Sequence, residues 1–343
     1  MALILRELDS KQEPAWDDFV LSMSQGTFFH RAGWRHVIEQ SFGHRQSYIF
    51  AEQDGAIAGV LPLVYMRSRL FGNRLISAPF CVYGGPLASD VATAQALTEY
   101  SLGLMRRTAA KFIEFRTREP GLEGSETRSD LYATFRRSIT KDPEKNLNSI
   151  PRKQRAVVRK AIQNQLNSAV DQDTDRFHRI YAASVRDLGT PVFSRRYFRI
   201  LMDRFQNCTE ILTVVDKGEP ISAVLSFFFR DEVLPYYGGG TPRARQLGAN
   251  DLMYWELMTR GAYRGARLFD FGRSKFGTGS FAFKKNWGFK PEPLHYQYWV
   301  EPGYAIPDHN PLNPKYRTLI AAWKRLPLPV ANLIGPAIVR GIG

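Results

Sequence analysis

Two stretches of the chain repeat one order of apolar and polar positions. In the first, Ala51-Glu52-Gln53-Asp54-Gly55 leads into an apolar run from Ile57 to Tyr65. Tyr83-Gly84-Gly85 follows, then a helical pattern from about Val91 to Ala110, then Phe112-Ile113-Glu114-Phe115-Arg116. In the second, Val214-Val215-Asp216-Lys217-Gly218 leads into Ile221 to Phe229, Tyr237-Gly238-Gly239, a helical pattern near 251–264 and Leu268-Phe269-Asp270-Phe271. Asp-Gly and Asp-Lys-Gly between apolar runs read as hairpin turns. Strands alternating with helices predict mixed α/β units, and the shared order predicts two of them by duplication. Convergence on a common strand-turn-strand pattern is the plainer alternative.

The second half carries more chemistry. From Tyr236 to Phe289 it reads as strand, basic glycine-containing loop, helix, strand and aromatic loop. Asn250 is a good N-cap, and Asp251 places a carboxylate in the first turn, where the helix dipole favours it. Leu252, Trp255, Met258 or Thr259, and Ala262 recur at helical spacing, Gly265 suits the C-terminal cap, and 266–271 reads as a short buried strand. The loop Arg245-Gln246-Leu247-Gly248-Ala249-Asn250 would feed a helix N-terminus, whose free N–H groups and positive dipole end suit a phosphate. An ordinary surface turn before a capped helix gives the same pattern. The first half has Pro86-Leu87-Ala88-Ser89-Asp90 at the matching place, with no arginine. Only the second half is therefore expected to hold an anionic donor, leaving the first to shape the acceptor site or the cleft between domains.

Arg/Gln-x-x-Gly-x-Gly/Ala between a strand and a helix resembles the coenzyme A pyrophosphate loop of GNAT acyltransferases, with Asn250 standing at the last small position. Asp270-Phe271-Gly272 followed by Phe283-Lys284 resembles the FemAB branch of that superfamily. Those proteins carry two GNAT-like domains, and familiar members attach amino acids from aminoacyl-tRNA to peptidoglycan precursors. Over roughly 15–325 the arrangement is similar to FemAB-like proteins associated with exopolysaccharide and PEP-CTERM sorting systems. The resemblance implies an α/β fold of two tandem GNAT-like domains, each a twisted mixed sheet flanked by helices. Its boundaries would be 1–150 for the first domain and 151–305 for the second, with a tail at 306–343. It implies an acyl or aminoacyl group moved from acyl-CoA or aminoacyl-tRNA to an amine of a cell-envelope or exopolysaccharide precursor. A plain acetyltransferase using acetyl-coenzyme A is the competing enzyme reading, and a degenerate GNAT pair that binds polyanions or scaffolds at the membrane is the non-enzyme one.

Acyl transfer needs a deprotonated acceptor amine, a stabilised oxyanion and a protonated leaving group. Lys284 matches the lysine that FemAB enzymes hold near the reacting carbonyl. Asp270 at a strand end is a candidate base, or else the cap of the following turn. Tyr237 could protonate a leaving group. Tyr83, Arg116, Arg186 and Arg273 are acceptor-side candidates. Trp34 and His30 resemble an N-terminal FemAB element that lines the cleft.

Composition narrows the picture. A chain of 343 residues, 44% hydrophobic and 13% aromatic, suits two globular domains. The two cysteines, Cys81 and Cys208, cannot build a disulfide framework or a zinc site, and their scarcity suits a reducing cytoplasm. Met1 to Glu7 is too short and too soon charged for a signal peptide. The six histidines lack metal-ligand spacing, so no metal is expected, and neither a Gly-x-Ser-x-Gly elbow nor a P-loop occurs.

The net charge is +14, and one basic cluster stands out. Ser149 reads as the cap and Pro151 as the first turn of a helix that puts Arg152, Arg155 and Arg159 on one face, flanked by Lys153 and Lys160. Val157, Val158, Ala161 and Ile162 would supply its apolar contact. It is either a solvated connecting helix or a contact for a polyanion such as a tRNA acceptor stem, nucleotide carrier or acidic polysaccharide. DNA is not an expected partner. In the tail, Asn313-Pro314 can start a helix, and the apolar run after Leu326 is interrupted by Pro327, Pro329 and Pro336. It is too short to span a bilayer, and its basic-aromatic flanks suit either peripheral contact with the inner membrane or packing on the body.

Overall fold

The computed structural model describes residues 3–68, 72–121, 124–306 and 314–343. The chain begins with β1 (Ile4–Glu7), α1 (Glu13–Ser22), α2 (Gly33–Phe42), β2 (Arg45–Gln53), β3 (Ala56–Ser68), β4 (Gly72–Ser77), β5 (Leu87–Ala88), α3 (Val91–Thr108), β6 (Phe112–Thr117) and β7 (Glu126–Arg128). It continues through β8 (Tyr132–Ser138), α4 (Pro143–Asn148), α5 (Arg152–Gln163), β9 (Asn167–Asp171), α6 (Asp175–Leu188), α7 (Arg195–Arg204), β10 (Thr209–Asp216), β11 (Glu219–Phe229) and β12 (Glu232–Gly240). The rest is α8 (Pro242–Leu247), α9 (Ala249–Tyr263), β13 (Leu268–Asp270), β14 (Ser274–Lys275), α10 (Gly279–Asn286), β15 (Pro291–Pro293), β16 (His295–Val300), α11 (Pro314–Lys324) and α12 (Leu328–Ile342).

Two compact units result. One comprises Met1–Leu131, Pro293–Asp308 and Arg340–Gly343, the other Tyr132–Glu292 and His309–Val339. Each is built on one mixed sheet. The first sheet runs β1-β2-β3-β4-β6-β16-β7, with β5 on β3. The second runs β14-β8-β13-β12-β11-β10-β9, with β15 on β8. β4–β6 and β12–β13 are parallel contacts, and at each a helix returns the chain.

The repeated sequence order has a physical basis in matching hairpins. Asp54 and Gly55 turn β2 into β3 with φ of 56° and 80°, and Lys217 and Gly218 turn β10 into β11 with φ of 51° and 89°. Left-handed backbone at both turn residues gives the twist that flanking strands need. In the first unit Ile49, Leu61, Leu75, Ile113 and Phe115 form a buried layer with Leu97 and Leu104 of α3. Asp90 caps α3 by accepting from Thr93 N–H at 2.8 Å. In the second unit Leu212, Val224, Val233 and Phe269 are buried with Leu252, Leu257 and Met258 of α9.

Several boundaries differ from expectation. β8, expected in the first half, pairs with β13 through Leu268↔Ser138 and lies in the second unit. The strand expected over 266–271 is only Leu268–Asp270. Phe283 and Lys284 lie on α10, not in a loop, because Thr278 caps that helix by accepting from Phe281 N–H. Ser149 ends α4, its hydroxyl donating to Asn146 O at 2.6 Å, and α5 starts after Pro151. In the tail, Pro329 sits in the first turn of α12, where its missing N–H costs little, and Pro336 lies inside the helix. Asn313 lies outside the described residues. No described helix is long and apolar enough to cross a membrane.

Candidate functional site

The second sheet opens beside β12. β12 and β13 pair in parallel only at Glu232↔Leu268 and Val233↔Phe269. β13 ends at Asp270, while β12 runs on to Gly240 against β11 alone. A register shift leaves Tyr236 opposite no residue of β11. Side chains then alternate between two helices. Gly239 faces α6, where an added Cβ would fall 2.6 Å from Ser184 Cβ. Gly238 and Gly240 face α9, where a Cβ would fall 3.3 Å from Tyr254 Oη and 2.1 Å from Asn250 Oδ1 respectively. The glycine run lets this strand pass between α6 and α9 without side chains.

Tyr237 points to the α6 side. It is buried among Tyr181, Phe193 and Phe198, and its hydroxyl lies 2.6 Å from that of Tyr197.

Asp270 and Lys284 meet at the end of β13. The fully buried Asp270 carboxylate accepts from Gly272 N–H at 2.7 Å and Thr134 Oγ1 at 3.3 Å, and Arg136 Nε lies 3.3 Å away. It braces the turn leaving β13, as the capping alternative expects. Lys284 reaches back from α10 and donates to the carbonyls of Gly272 at 2.9 Å and Arg273 at 3.0 Å. Its Nζ lies 5.4 Å from the centre of the Phe135 ring and 5.8 Å from that of Phe271. Burial among these groups pulls the Lys284 pKa down to about 7, with Asp270 opposing the shift and Arg273 adding to it. The next residue, Lys285, is exposed. Arg273 lays its guanidinium over Tyr132, 4.6 Å from the ring centre.

Tyr254 connects the two sides of the opening, and sequence reasoning missed it. Its ring is 4.8 Å from Phe271, against which Lys284 lies, and its hydroxyl faces Gly238. Burial, then the Asp251 charge, raises its pKa to about 12. The available signal was spacing: Tyr254 lies four residues after Asn250, on the same helix face.

The expected phosphate loop is folded differently. Arg245, Gln246 and Leu247 belong to the short helix α8. Gly248, with φ of 72°, ends α8 and caps α9 in place of Asn250, its carbonyl accepting from Asp251 and Leu252 N–H at 3.1 Å. An added Cβ there would lie 2.9 Å from Val157 Cγ1 and 3.2 Å from Val157 O of α5. The Asp251 carboxylate accepts from Trp287 Nε1 at 2.8 Å and from the Gln154 amide of α5, and burial raises its pKa. The first turn of α9 thus carries its own carboxylate and lies against α5. The neighbouring Ala249 is buried, and Asn250 Oδ1 is enclosed without a hydrogen-bond partner.

On α5, Arg152 and Arg159 are exposed with Lys153, and Arg155 donates to Asn148 Oδ1 at 3.0 Å. Val158 and Ala161 are buried, but Ile162, expected to supply apolar contact, faces water. Arg186 holds the end of α6 to the tail, donating to Asp187 at 2.7 Å and to Leu326 O at 2.8 Å.

The first unit has its own cleft, of about 420 Å³, lined by Tyr83, His30, Asp90, Arg116, Arg118 and Glu119 among others. Thr27 N–H donates to His30 Nδ1 at 3.2 Å, so Nε2 donates to Gly85 O at 3.0 Å. Arg116 is buried, donating to Glu114 at 2.7 Å and to Cys81 O at 2.8 Å. The guanidinium of Arg118, which the sequence did not single out, lies 5.4 Å from the Tyr83 ring centre. Trp34 stands behind the wall: its indole donates to Phe28 O at 3.1 Å, and its ring contacts Phe29, which contacts Tyr83. Among the described residues no three His, Cys, Asp or Glu side chains group as metal ligands.

This architecture has known counterparts. Residues 145–285 match the family profile described as Acetyltransferase (GNAT) domain. A crystal structure of FemX is similar with a TM-score of 0.65 at 16% identity, covering 92% of this chain and 100% of that one. A tandem GNAT protein from the clavulanic acid biosynthesis pathway gives 0.56 at 13% identity, with 90% and 100% covered. The C-terminal domain of a putative lysylphosphatidylglycerol synthetase from Agrobacterium fabrum gives 0.57 at 12% identity, with 84% and 92% covered. None of the curated protein sequences matches. Residues 145–285 of the second unit thus match a GNAT acetyltransferase profile, and the whole chain has a fold like that of the tandem GNAT proteins.

Proposed function

We propose that the chain is an N-acyltransferase of the FemAB kind, moving an aminoacyl or acyl group to an amine of a cell-envelope or exopolysaccharide precursor. The observation that carries this reading is Lys284, whose amine is held by two carbonyls at the open end of β13. A cation there would meet the oxyanion as the acceptor amine attacks the acyl carbonyl. Tyr254, on the same side of β12, is the proposed donor of the leaving-group proton. Asp270 and Arg273 position Lys284, and Tyr237 holds β12 against α6. The first unit's cleft, with Tyr83, Arg118 and the His30–Gly85 contact, is the proposed acceptor site.

Aminoacyl-tRNA is the preferred donor. Asp251 in the first turn of α9 and the contact of Gly248 with α5 disfavour a pyrophosphate at that helix end. The exposed Arg152 and Arg159 suit a long polyanion. One structural relative bears the name putative lysylphosphatidylglycerol synthetase, and a lysyl group is an aminoacyl group. Acetyl-coenzyme A is the second reading, favoured by the acetyltransferase profile over 145–285.

Donor binding measured against salt separates the two. Aminoacyl-tRNA affinity should fall steeply with salt, because neutralised phosphates release counterions, and Arg152→Glu with Arg159→Glu should lower that slope. A flat response to tRNA together with turnover of acetyl-coenzyme A would select the second reading.

A further inference from the structure

Between 309 and 343 the sequence contains no Asp or Glu. Two helices of the second unit, α11 and α12, fall in this span. α12 has two apolar faces. One lies at four-residue spacing: Ala331, Gly335 and Val339 are buried, and an added Cβ on Gly335 would fall 2.9 Å from Val192 N. Close approach to the body uses this face. The other carries Val330, Leu333 and Ile334, which are 40%, 80% and 40% exposed, and Leu319 of α11 is 66% exposed. Large aliphatic side chains of α12 thus meet water on the face away from its buried residues.

The surroundings are basic. Arg317, Lys324 and Arg325 are exposed on and just after α11, and Trp323 is half-buried beside them. Fifteen residues of α12 make a helix of roughly 22 Å, shorter than a hydrocarbon core of about 30 Å. Such a helix lies in a membrane surface rather than crossing it.

We propose that the outer face of α11 and α12 docks on an anionic phospholipid bilayer, with Leu319, Val330, Leu333 and Ile334 in the acyl boundary and Arg317, Lys324 and Arg325 among the headgroups. The run of basic residues with no acid between 309 and 343 selects a negative surface, and the bare aliphatics supply the apolar term.

The test is sedimentation of the full chain with vesicles of phosphatidylglycerol and phosphatidylcholine, or of phosphatidylcholine alone. The parent should partition to the anionic vesicles and little to the neutral ones. Leu333→Glu with Ile334→Glu replaces exposed side chains, so the melting temperature should hold while partitioning drops at least about tenfold. Lys324→Glu with Arg325→Glu should weaken binding and flatten its salt dependence. Arg152→Glu with Arg159→Glu should bind like the parent. Three results would overturn the proposal. The parent could ignore anionic vesicles. The Leu333/Ile334 variant could bind as well as the parent, which would place adsorption on another basic face. That variant could instead break up a dimer that never binds vesicles, which would make the face a contact between copies.

Discussion

Lys284 Nζ lies 2.9 Å from the carbonyl oxygen of Gly272, the residue whose own N–H is held at 2.7 Å by the Asp270 carboxylate. One turn therefore joins the lysine to the end of β13. The lysine's position depends on a buried brace, and its charge depends on pH.

Because burial lowers Lys284 to about 7 from an ordinary 10.5, the amine changes charge near neutrality. Between about 7 and 10.5 the unfolded chain binds the proton that the folded one has lost, so this group makes stability rise with pH across that window. The proposed role needs the cation, so kcat should fall as pH rises through about 7. Lys284→Arg should carry activity to higher pH. A pH profile of kcat for both proteins checks this, and a rise through pH 7 would point to a neutral amine acting as base.

Arg116 is closed in by Glu114 and the Cys81 carbonyl, so its charge is a structural commitment of the first unit. Arg116→Ala would take one cation from the Glu114 carboxylate, beside which the Arg74 charge also lies, and is expected to cost about 1–3 kcal/mol of stability. Urea unfolding measures the loss. An unchanged midpoint with a raised KM for the acceptor would make Arg116 a substrate contact instead.

Gly248 is left-handed and pressed against Val157, so Gly248→Val should lower stability by about 1–3 kcal/mol. Denaturant unfolding is the readout. Weakened donor binding with unchanged stability would restore the open phosphate loop at this elbow.

The fold was legible where local chemistry is strong. Asp54-Gly55 and Lys217-Gly218 announce their hairpins, and Asp90 announces α3, because each acts within a few residues. The donor loop was misread because its conformation is set from a distance. Nothing near Gly248 in sequence reveals that Val157 and Gln154 of α5 close over it. Phe283-Lys284 singles out Lys284 by resemblance, but its partners Gly272 and Arg273 lie twelve and eleven residues back. Arg116 and Arg118 sit two apart on and just beyond β6, and charge alone does not tell that Arg116 is tied to Glu114 and the Cys81 carbonyl while Arg118 lies over Tyr83. Tyr254 is not singled out by the sequence, since its meaning comes from where β12 parts from β13.

Single-turnover transfer by adjacent lysine variants tests the central claim most directly. The parent, Lys284→Ala and Lys285→Ala are each mixed with aminoacyl-tRNA or acyl-CoA and an envelope-precursor fraction, and enzyme-dependent transfer of the labelled acyl group is followed. A group that acts in the transition state should affect rate more than donor affinity. Lys284→Ala is expected to lose on the order of 100-fold in rate while binding donor within a few-fold of the parent, and Lys285→Ala to stay near the parent. Transfer at the parental rate by both variants would contradict the assignment of Lys284.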